Sequence, residues 1–384
     1  MDLKFTDEQD MLRETTQALC RDASGMDVVR QMENDPIGIP EKLWTGMREA
    51  GLTGIFVPEE YGGTGLDLLS CVVIYEELGR ALAPGPHFGS AVMSVLAVRE
   101  AGSAAQKSAL LPRLASGDTV IVPAWLEPDR GYGPEGVQLE ARRSGEGYRL
   151  TGVKRHVFHA KAASRLLVLA RTGKGEDEID LFLVDADASG LVFEQQKSMA
   201  SDTQYRVTFE DVAAERLGAA GSGWQTWTAV MSRGIVLLAA FAAGGAARAL
   251  EITVQYSKDR QQFGKPIGAF QALAHYLADA SPVVEGAKML AHEAAWAHDQ
   301  GKDTRRLAPM AKLFCCQAFR DITHMAQQVH GGIGFTLDYH IQLYYRRAKQ
   351  LQLNWWDSRH LEELIAADVL DRQDVRAIAD PFAA

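Results

Sequence analysis

Apolar positions recur at helical spacing at both ends of the chain and alternate in short runs between them. Behind Phe5-Thr-Asp-Glu-Gln, whose threonine and acids suit a helix start, an amphipathic stretch begins, and Cys71–Leu82 carries apolar residues three and four apart. The loop Val57-Pro-Glu-Glu-Tyr-Gly-Gly-Thr-Gly65 cannot continue a helix, and Ala83-Pro-Gly-Pro86 closes the next one. From about 118 the runs shorten and turn β-branched: Thr119–Pro123, Tyr148–Val153, Arg165–Arg171, Ile179–Val184 and Tyr205–Phe209, with hairpin-like glycine turns at 144–147 and 172–176. Helical spacing returns near 222. Ile235–Ala247 is apolar on every side, which predicts a helix buried all round; Gly244 and Gly245 would let a neighbour approach closely at about 1 kcal/mol each in propensity. The pattern predicts an α+β multidomain chain, helical over 1–117, β over 118–221 and helical over 222–384.

At 384 residues, 47% hydrophobic and 23% charged, the chain can bury a large core. Its net charge of −10, from 40 basic and 50 acidic residues, argues against electrostatic binding to nucleic acid or an anionic membrane, which needs clustered Lys and Arg. No basic start precedes an apolar core near the N-terminus, and no unbroken apolar run approaches about 18 residues, so neither a leader nor membrane insertion is expected. Cys20, Cys71, Cys315 and Cys316 form no C-x-x-C and read as reduced cysteines of a cytoplasmic protein. His292-Glu293 with His298 lacks the spacing for two metal ligands on one helical face, so no metal is expected.

Two glycine-containing segments carry candidate chemistry. Gly331-Gly332-Ile-Gly334 follows a helical stretch, Ala311–Val329, and no strand, so it is no dinucleotide-binding βα turn; it either ends the helix or brings backbone close to a phosphate or adenine. Arg260-Gln-Gln-Phe-Gly-Lys-Pro-Ile267 puts basic residues where a long helix ends, which suits the helix dipole and equally an anionic ligand. A G-x-S-x-G elbow and a Walker-type loop are both missing, which removes support for nucleophilic or nucleotide hydrolysis.

Together, Phe5-Thr-x-Glu-Gln, Gly51-Leu, Val57-Pro-Glu-Glu-Tyr-Gly-Gly-Thr-Gly65, Tyr75-Glu-Glu-Leu-Gly-Arg80, Arg260-x-x-Phe-Gly-Lys-Pro-Ile with Gln271, and Gln328-Val-His-Gly-Gly-Ile-Gly-Phe335 resemble the acyl-CoA dehydrogenase family in order and spacing over essentially the whole chain. The resemblance implies an N-terminal helical domain, a central β barrel and a C-terminal four-helix bundle, commonly assembled as a dimer of dimers. It implies FAD as cofactor, an acyl-CoA substrate desaturated between its α and β carbons, and electron-transfer flavoprotein as acceptor. A family carboxylate takes the α proton in a dry pocket, where desolvation raises its basicity. The resemblance further implies that Arg260 meets the FAD pyrophosphate across a subunit interface, that Phe263 and Gln271 line the adenosine region, and that Gln328, Gly331 and Gly332 contact the pyrophosphate-adenosine part.

The chain departs from the family in two places. Where the family has Thr-Glu-Pro-x-x-Gly-Ser-Asp and Trp-x-Thr around the flavin ring, Leu126-Glu-Pro-Asp-Arg-Gly-Tyr-Gly133 and His156-Val-Phe158 stand, so two hydrogen-bonding hydroxyls have become Leu126 and Phe158. His156 and His159 either substitute for them or are unliganded histidines. The family glutamate falls either at Gly234 or, just past the Gly-Gly segment, at Trp355 or Trp356, and neither position is acidic. Asp357 is the nearby carboxylate and is either a short-reaching base or, with Ser358, the N-cap of the amphipathic stretch Arg359–Leu370. One cause accounts for both departures: a subunit of a hetero-oligomeric acyl-CoA dehydrogenase whose paralogous partner supplies the glutamate, with a bulky steroid or aromatic thioester, in lipid or steroid catabolism, as the implied substrate. The alternatives are a self-sufficient homotetramer using Asp357 and a non-catalytic scaffold.

Overall fold

A computed structural model describes residues 4–370. Contacts divide the described residues into two compact units, one of residues 4–13, Leu68–Leu82 and residues 235–370, the other of Glu14–Asp67 and Ala83–Gly234. The N-terminal helices are α1 (Asp7–Ala23), α2 (Met26–Gln31), α3 (Glu41–Glu49), α4 (Leu68–Arg80), α5 (Val95–Ala101) and α6 (Ala104–Ala115). At the predicted start of α1 the Thr6 hydroxyl accepts from the Gln9 N–H while the Gln9 amide oxygen accepts from the Thr6 N–H, a reciprocal cap. A π-helical turn, Phe88–Ser94, leads into α5.

Seven strands follow: β1 (Ile121–Ala124), β2 (Glu140–Ser144), β3 (Gly147–Phe158), β4 (Arg165–Arg171), β5 (Ile179–Asp185), β6 (Leu191–Gln196) and β7 (Gln204–Leu217). Pairing runs β4-β2-β3-β7-β5 and returns to β4 through the β4–β5 ladder, so five strands close on themselves; β1 flanks β4 in parallel and β6 pairs antiparallel with β7. Closure removes sheet edges. The interior holds Leu150, Val168, Phe182, Val184, Val207 and Phe209, each at most 1% exposed. Burying each such large side chain contributes roughly 1.5–3 kcal/mol.

The chain continues into α7 (Gly223–Asp259), the hairpin β8 (Gln261–Gln262) and β9 (Lys265–Pro266), then α8 (Gln271–Asp299), α9 (Leu307–His330), α10 (Ile341–Leu353) and α11 (Ser358–Leu370). By length and hydropathy α7 could cross a bilayer, but 78% of its most apolar window is buried inside the protein, the mark of a core helix. Residues 234–247 are all buried, as their apolar run predicts. Helix α4 meets this stretch backbone to backbone: a Cβ added at Gly79 would lie 2.0 Å from the Phe241 carbonyl oxygen, and one at Gly244 1.9 Å from the Glu76 carbonyl oxygen. Gly245 makes equal room for the Phe319 ring of α9. The first amides of α4 donate to the Asp299 carboxylate at the end of α8 (3.0 and 2.9 Å), and Glu76 on α4 meets His292 Nε2 at 2.7 Å.

Candidate functional site

Four segments expected to carry chemistry are built as follows. In the hairpin after α7, Gln261 pairs with Pro266 and Gln262 with Lys265, leaving Phe263 and Gly264 as a two-residue turn with φ of 54° and 78°. Both central residues lie in the left-handed region, as a type I′ turn requires; glycine does so freely, whereas a phenylalanine pays strain of roughly 1–3 kcal/mol. The Phe263 side chain is 90% exposed, so no burial offsets that strain. Arg260 and Gln271, at the two feet of the hairpin, are exposed, and Arg260 pairs with no carboxylate among the described residues. Beside the hairpin α7 and α8 enclose a hollow of about 550 Å³ walled by Leu250, Val254, Pro266 and Leu277; neither Arg260, Phe263 nor Gln271 lines it.

At the end of α9, Gly331 adopts φ 63° and ψ −143°, open only to glycine, and a Cβ at Gly331 or Gly332 would meet nothing. Gln328 is exposed beside them. Phe335 and Leu337 stand 73% and 72% exposed just beyond. His330, stacked on Tyr256 at 4.3 Å, donates from Nδ1 to the Ala326 carbonyl (2.7 Å), which leaves buried Nε2 as an acceptor without a partner; burial lowers its basicity. The buried Gln327 Oε1 likewise has no partner among the described residues. An open glycine backbone, a free guanidinium, an exposed aromatic held under strain and two orphaned acceptors fit the nucleotide portion of FAD. Sequence reasoning brought out Arg260, Phe263, Gln271, Gln328, Gly331 and Gly332 but missed the acceptors on Gln327 and His330, whose adjacency to the Gly-Gly turn was the available signal.

In the β unit, Lys154 is fully buried and donates to Glu127 Oε1 (2.7 Å) and to the Trp125 carbonyl (3.2 Å); Glu127 Oε1 also accepts from the Gln138 and Leu139 amides. Burial lowers the Lys154 pKa while Glu127 opposes the shift. The Leu126 carbonyl accepts from Arg155 N–H (2.8 Å). The segment 125–127 is thus rigid, yet the side chains at the positions of the family's flavin hydroxyls, Leu126 and Phe158, carry no polar atom, and this half of the arrangement does not offer the flavin ring the bonds the family does. His156 lies in a bulge between β3 and β7 at φ 51°, with Nδ1 on Gln204 Oε1 at 2.7 Å, and His159 at φ 54° starts the following turn.

Neither family position for a catalytic glutamate holds an acid. A Cβ on Gly234 would sit 2.6 Å from Met93 Sδ and 3.3 Å from the Phe88 ring of the π-helical turn, so nothing larger than glycine fits without movement. After α10 the chain turns through Trp355 (φ 55°) and Trp356 (φ 70°), both under 10% exposed, an outlying conformation for bulky residues. Asp357 Oδ1 accepts from His360 N–H (2.9 Å), the geometry of an N-cap for α11. Its side chain is half-buried, with one carboxylate oxygen engaged.

Models of the acyl-CoA dehydrogenase N-terminal, middle and C-terminal domains match residues 6–118, 124–212 and 221–354. The chain is 32% identical to the probable acyl-CoA dehydrogenase YngJ of Bacillus subtilis (strain 168) over 96% of its own length and all of that protein's. Among solved structures it is similar to a chain of a Tcur3481-Tcur3483 steroid ACAD variant (34% identity, TM-score 0.84, covering 94% of this chain and 98% of that one). It is also similar to a chain of the ChsE4-ChsE5 complex from Mycobacterium tuberculosis (25% identity, TM-score 0.88, covering 97% and 100%). With domain order, closed β ring, helical C-terminal region and three family-domain matches along the chain, the chain belongs to the acyl-CoA dehydrogenase family, FAD-dependent oxidoreductases acting on the CH–CH bond of acyl-CoA thioesters.

Proposed function

We propose that this chain is a flavin-binding subunit of a hetero-oligomeric acyl-CoA dehydrogenase that desaturates an acyl-CoA between its α and β carbons, with the catalytic glutamate supplied by a paralogous partner. The observation that carries this reading is the chain's lack of an acid at either family position: Gly234 is walled by Met93 and Phe88, and the later position is filled by buried indoles. Arg260, Phe263, Gln271, Gln328, Gly331 and Gly332 are assigned to the pyrophosphate and adenosine of FAD, Arg260 because a planar guanidinium can pair two phosphate oxygens. FAD, when bound, would supply the acceptor for the β hydride. Leu126 and Phe158 exclude water and give the ring apolar contact only, which weakens retention of the flavin by the chain alone. Likeness to the named steroid ACAD and to the ChsE4-ChsE5 complex supports a partner and a bulky, ring-bearing acyl group. Electron-transfer flavoprotein is the proposed acceptor, and the cytoplasm the proposed location.

The test is the visible spectrum of the chain purified alone and after co-expression with a paralogous dehydrogenase subunit. Flavin bands confined to the co-purified complex and bleached by acyl-CoA are the expected result; a stoichiometric flavin spectrum from the lone chain, bleached by acyl-CoA, would overturn it. The competing homotetramer needs Asp357 as base, but one of its oxygens already caps α11. Asp357→Asn keeps a capping side chain and removes the charge. In the complex its rate of flavin reduction should equal that of the unsubstituted chain, and a loss of a hundredfold or more would move the base to Asp357.

A further inference from the structure

Helix α9 carries one lysine among its buried positions. Ala308, Ala311, Lys312, Cys315, Cys316 and Phe319 all face the interior at helical spacing, and Lys312 is 0% exposed. Its ammonium donates to three carbonyls: Leu351 at 3.2 Å, Asn354 at 2.9 Å and Trp356 at 2.8 Å. An ammonium has three N–H bonds, so all are used. No acidic oxygen among the described residues joins them, although burying an unpaired ammonium is costly. Burial accordingly pushes the pKa down, with Cys316 and Asp357 opposing. The acceptors are the open carbonyls at the end of α10 and within the next turn, where the chain must pass through Trp355 and Trp356 at positive φ. Two consecutive tryptophans there are held under strain. Such strain persists only where the surroundings over-determine it, and the three charge-assisted bonds do so from below.

We propose that Lys312 is a positioning residue: its ammonium fixes the Trp355–Trp356 turn so that the two indoles form the wall against which the acyl group of the thioester packs. The second clause rests on the reading above, in which this turn occupies the place of the family's catalytic acid; the first rests on the geometry alone. Trp356 meets the His360 ring at 5.2 Å, and its buried indole N–H has no partner among the described residues, so what holds the residue there is its carbonyl and its packing.

The experiment uses the full chain, with its flavin and its paralogous partner if co-expression yields one, labelled with 5-fluorotryptophan. Seven tryptophans give seven signals, and Trp355→Phe and Trp356→Phe assign two of them. Lys312→Met keeps length and volume but removes the three donors. A space-filling role would survive it, whereas a positioning role predicts that the Trp355 and Trp356 signals shift or broaden while the other five stay. If the turn is then ordered in a tenth of the molecules, affinity for octanoyl-CoA falls about tenfold, with CoA itself as the unchanged control. Should Lys312→Met not fold, Lys312→Arg is read the same way, because a planar guanidinium cannot aim three donors at three converging carbonyls. Unmoved signals in the variant overturn the positioning role, and moved signals with unchanged octanoyl-CoA affinity overturn the acyl wall. If the unsubstituted protein binds no octanoyl-CoA, the thioester reading fails while the fluorine signals still decide what Lys312 does.

Discussion

Phe263 combines two properties that folding of an isolated chain does not favour, a left-handed backbone and 90% exposure of a large apolar ring. Asparagine suits a type I′ position, so Phe263→Asn should raise stability by about 1 kcal/mol in urea unfolding while lowering the flavin retained through gel filtration. Equal retention would remove Phe263 from the nucleotide site. His87 makes the opposite case, a residue whose chemistry is internal. Its Nε2–H donates to the Leu52 carbonyl at 2.9 Å, and burial holds its pKa at about 4 against an ordinary 6.5. The unfolded chain therefore binds the proton first as pH falls: the contribution is complete above 6.5 and is lost progressively toward 4, about 3 kcal/mol in all. His87→Gln keeps a donor for Leu52 without the titration, so the stability difference from the unsubstituted chain should change across that window; a constant difference would show that His87 does not titrate there. A buried histidine of this kind leaves no mark in the sequence, because its environment is made by residues far along the chain.

Among the elements, α7 is legible because Ile235–Ala247 within it is apolar on every face, and α4 because its apolar residues recur three and four apart; that density of apolar residues dictates where both go. Their glycines are the point of contact. Gly244→Ala would drive a methyl group into the Glu76 carbonyl, and a loss of about 2–3 kcal/mol in thermal or urea unfolding is expected. Strands β2 and β6 escape the pattern for a different reason: β2 buries only Ala141 and β6 alternates half-buried with exposed residues, so tertiary pairing and not composition makes them strands. Strand β3 runs past the predicted Val153 through Lys154, Arg155 and His156 because a bulge absorbs the polar residues. Lys154 could have been noticed as a lysine inside a strand. Its buried bond to Glu127 predicts that Lys154→Met leaves an unpaired carboxylate and costs roughly 3–5 kcal/mol, measured against the double variant with Glu127→Gln, which should recover part of it.

At the scale of the whole molecule, the glycine and arginine segments proposed for the nucleotide were readable because each needs a residue type that nothing else replaces, an open backbone or a planar cation. The missing acid was readable as an absence at Gly234 and Trp355–Trp356, but its physical counterpart, Met93 and Phe88 filling one place and indoles the other, depends on packing. That α4 belongs to the same compact unit as α7 from Ile235 on and α8–α11 was not readable at all, since more than half the chain's strands lie between them. The consequence falls on synthesis. When α4 leaves the ribosome, the surface its glycine was shaped to meet lies roughly 150 residues away and is not yet made; at 5–20 residues per second that is about 8–30 s during which the apolar positions of α4 lack the α7 stretch they pack against. Nascent chains arrested before Ile235 should therefore carry a sticky N-terminal segment and be held by chaperones, and release from them should coincide with emergence of the C-terminal helices.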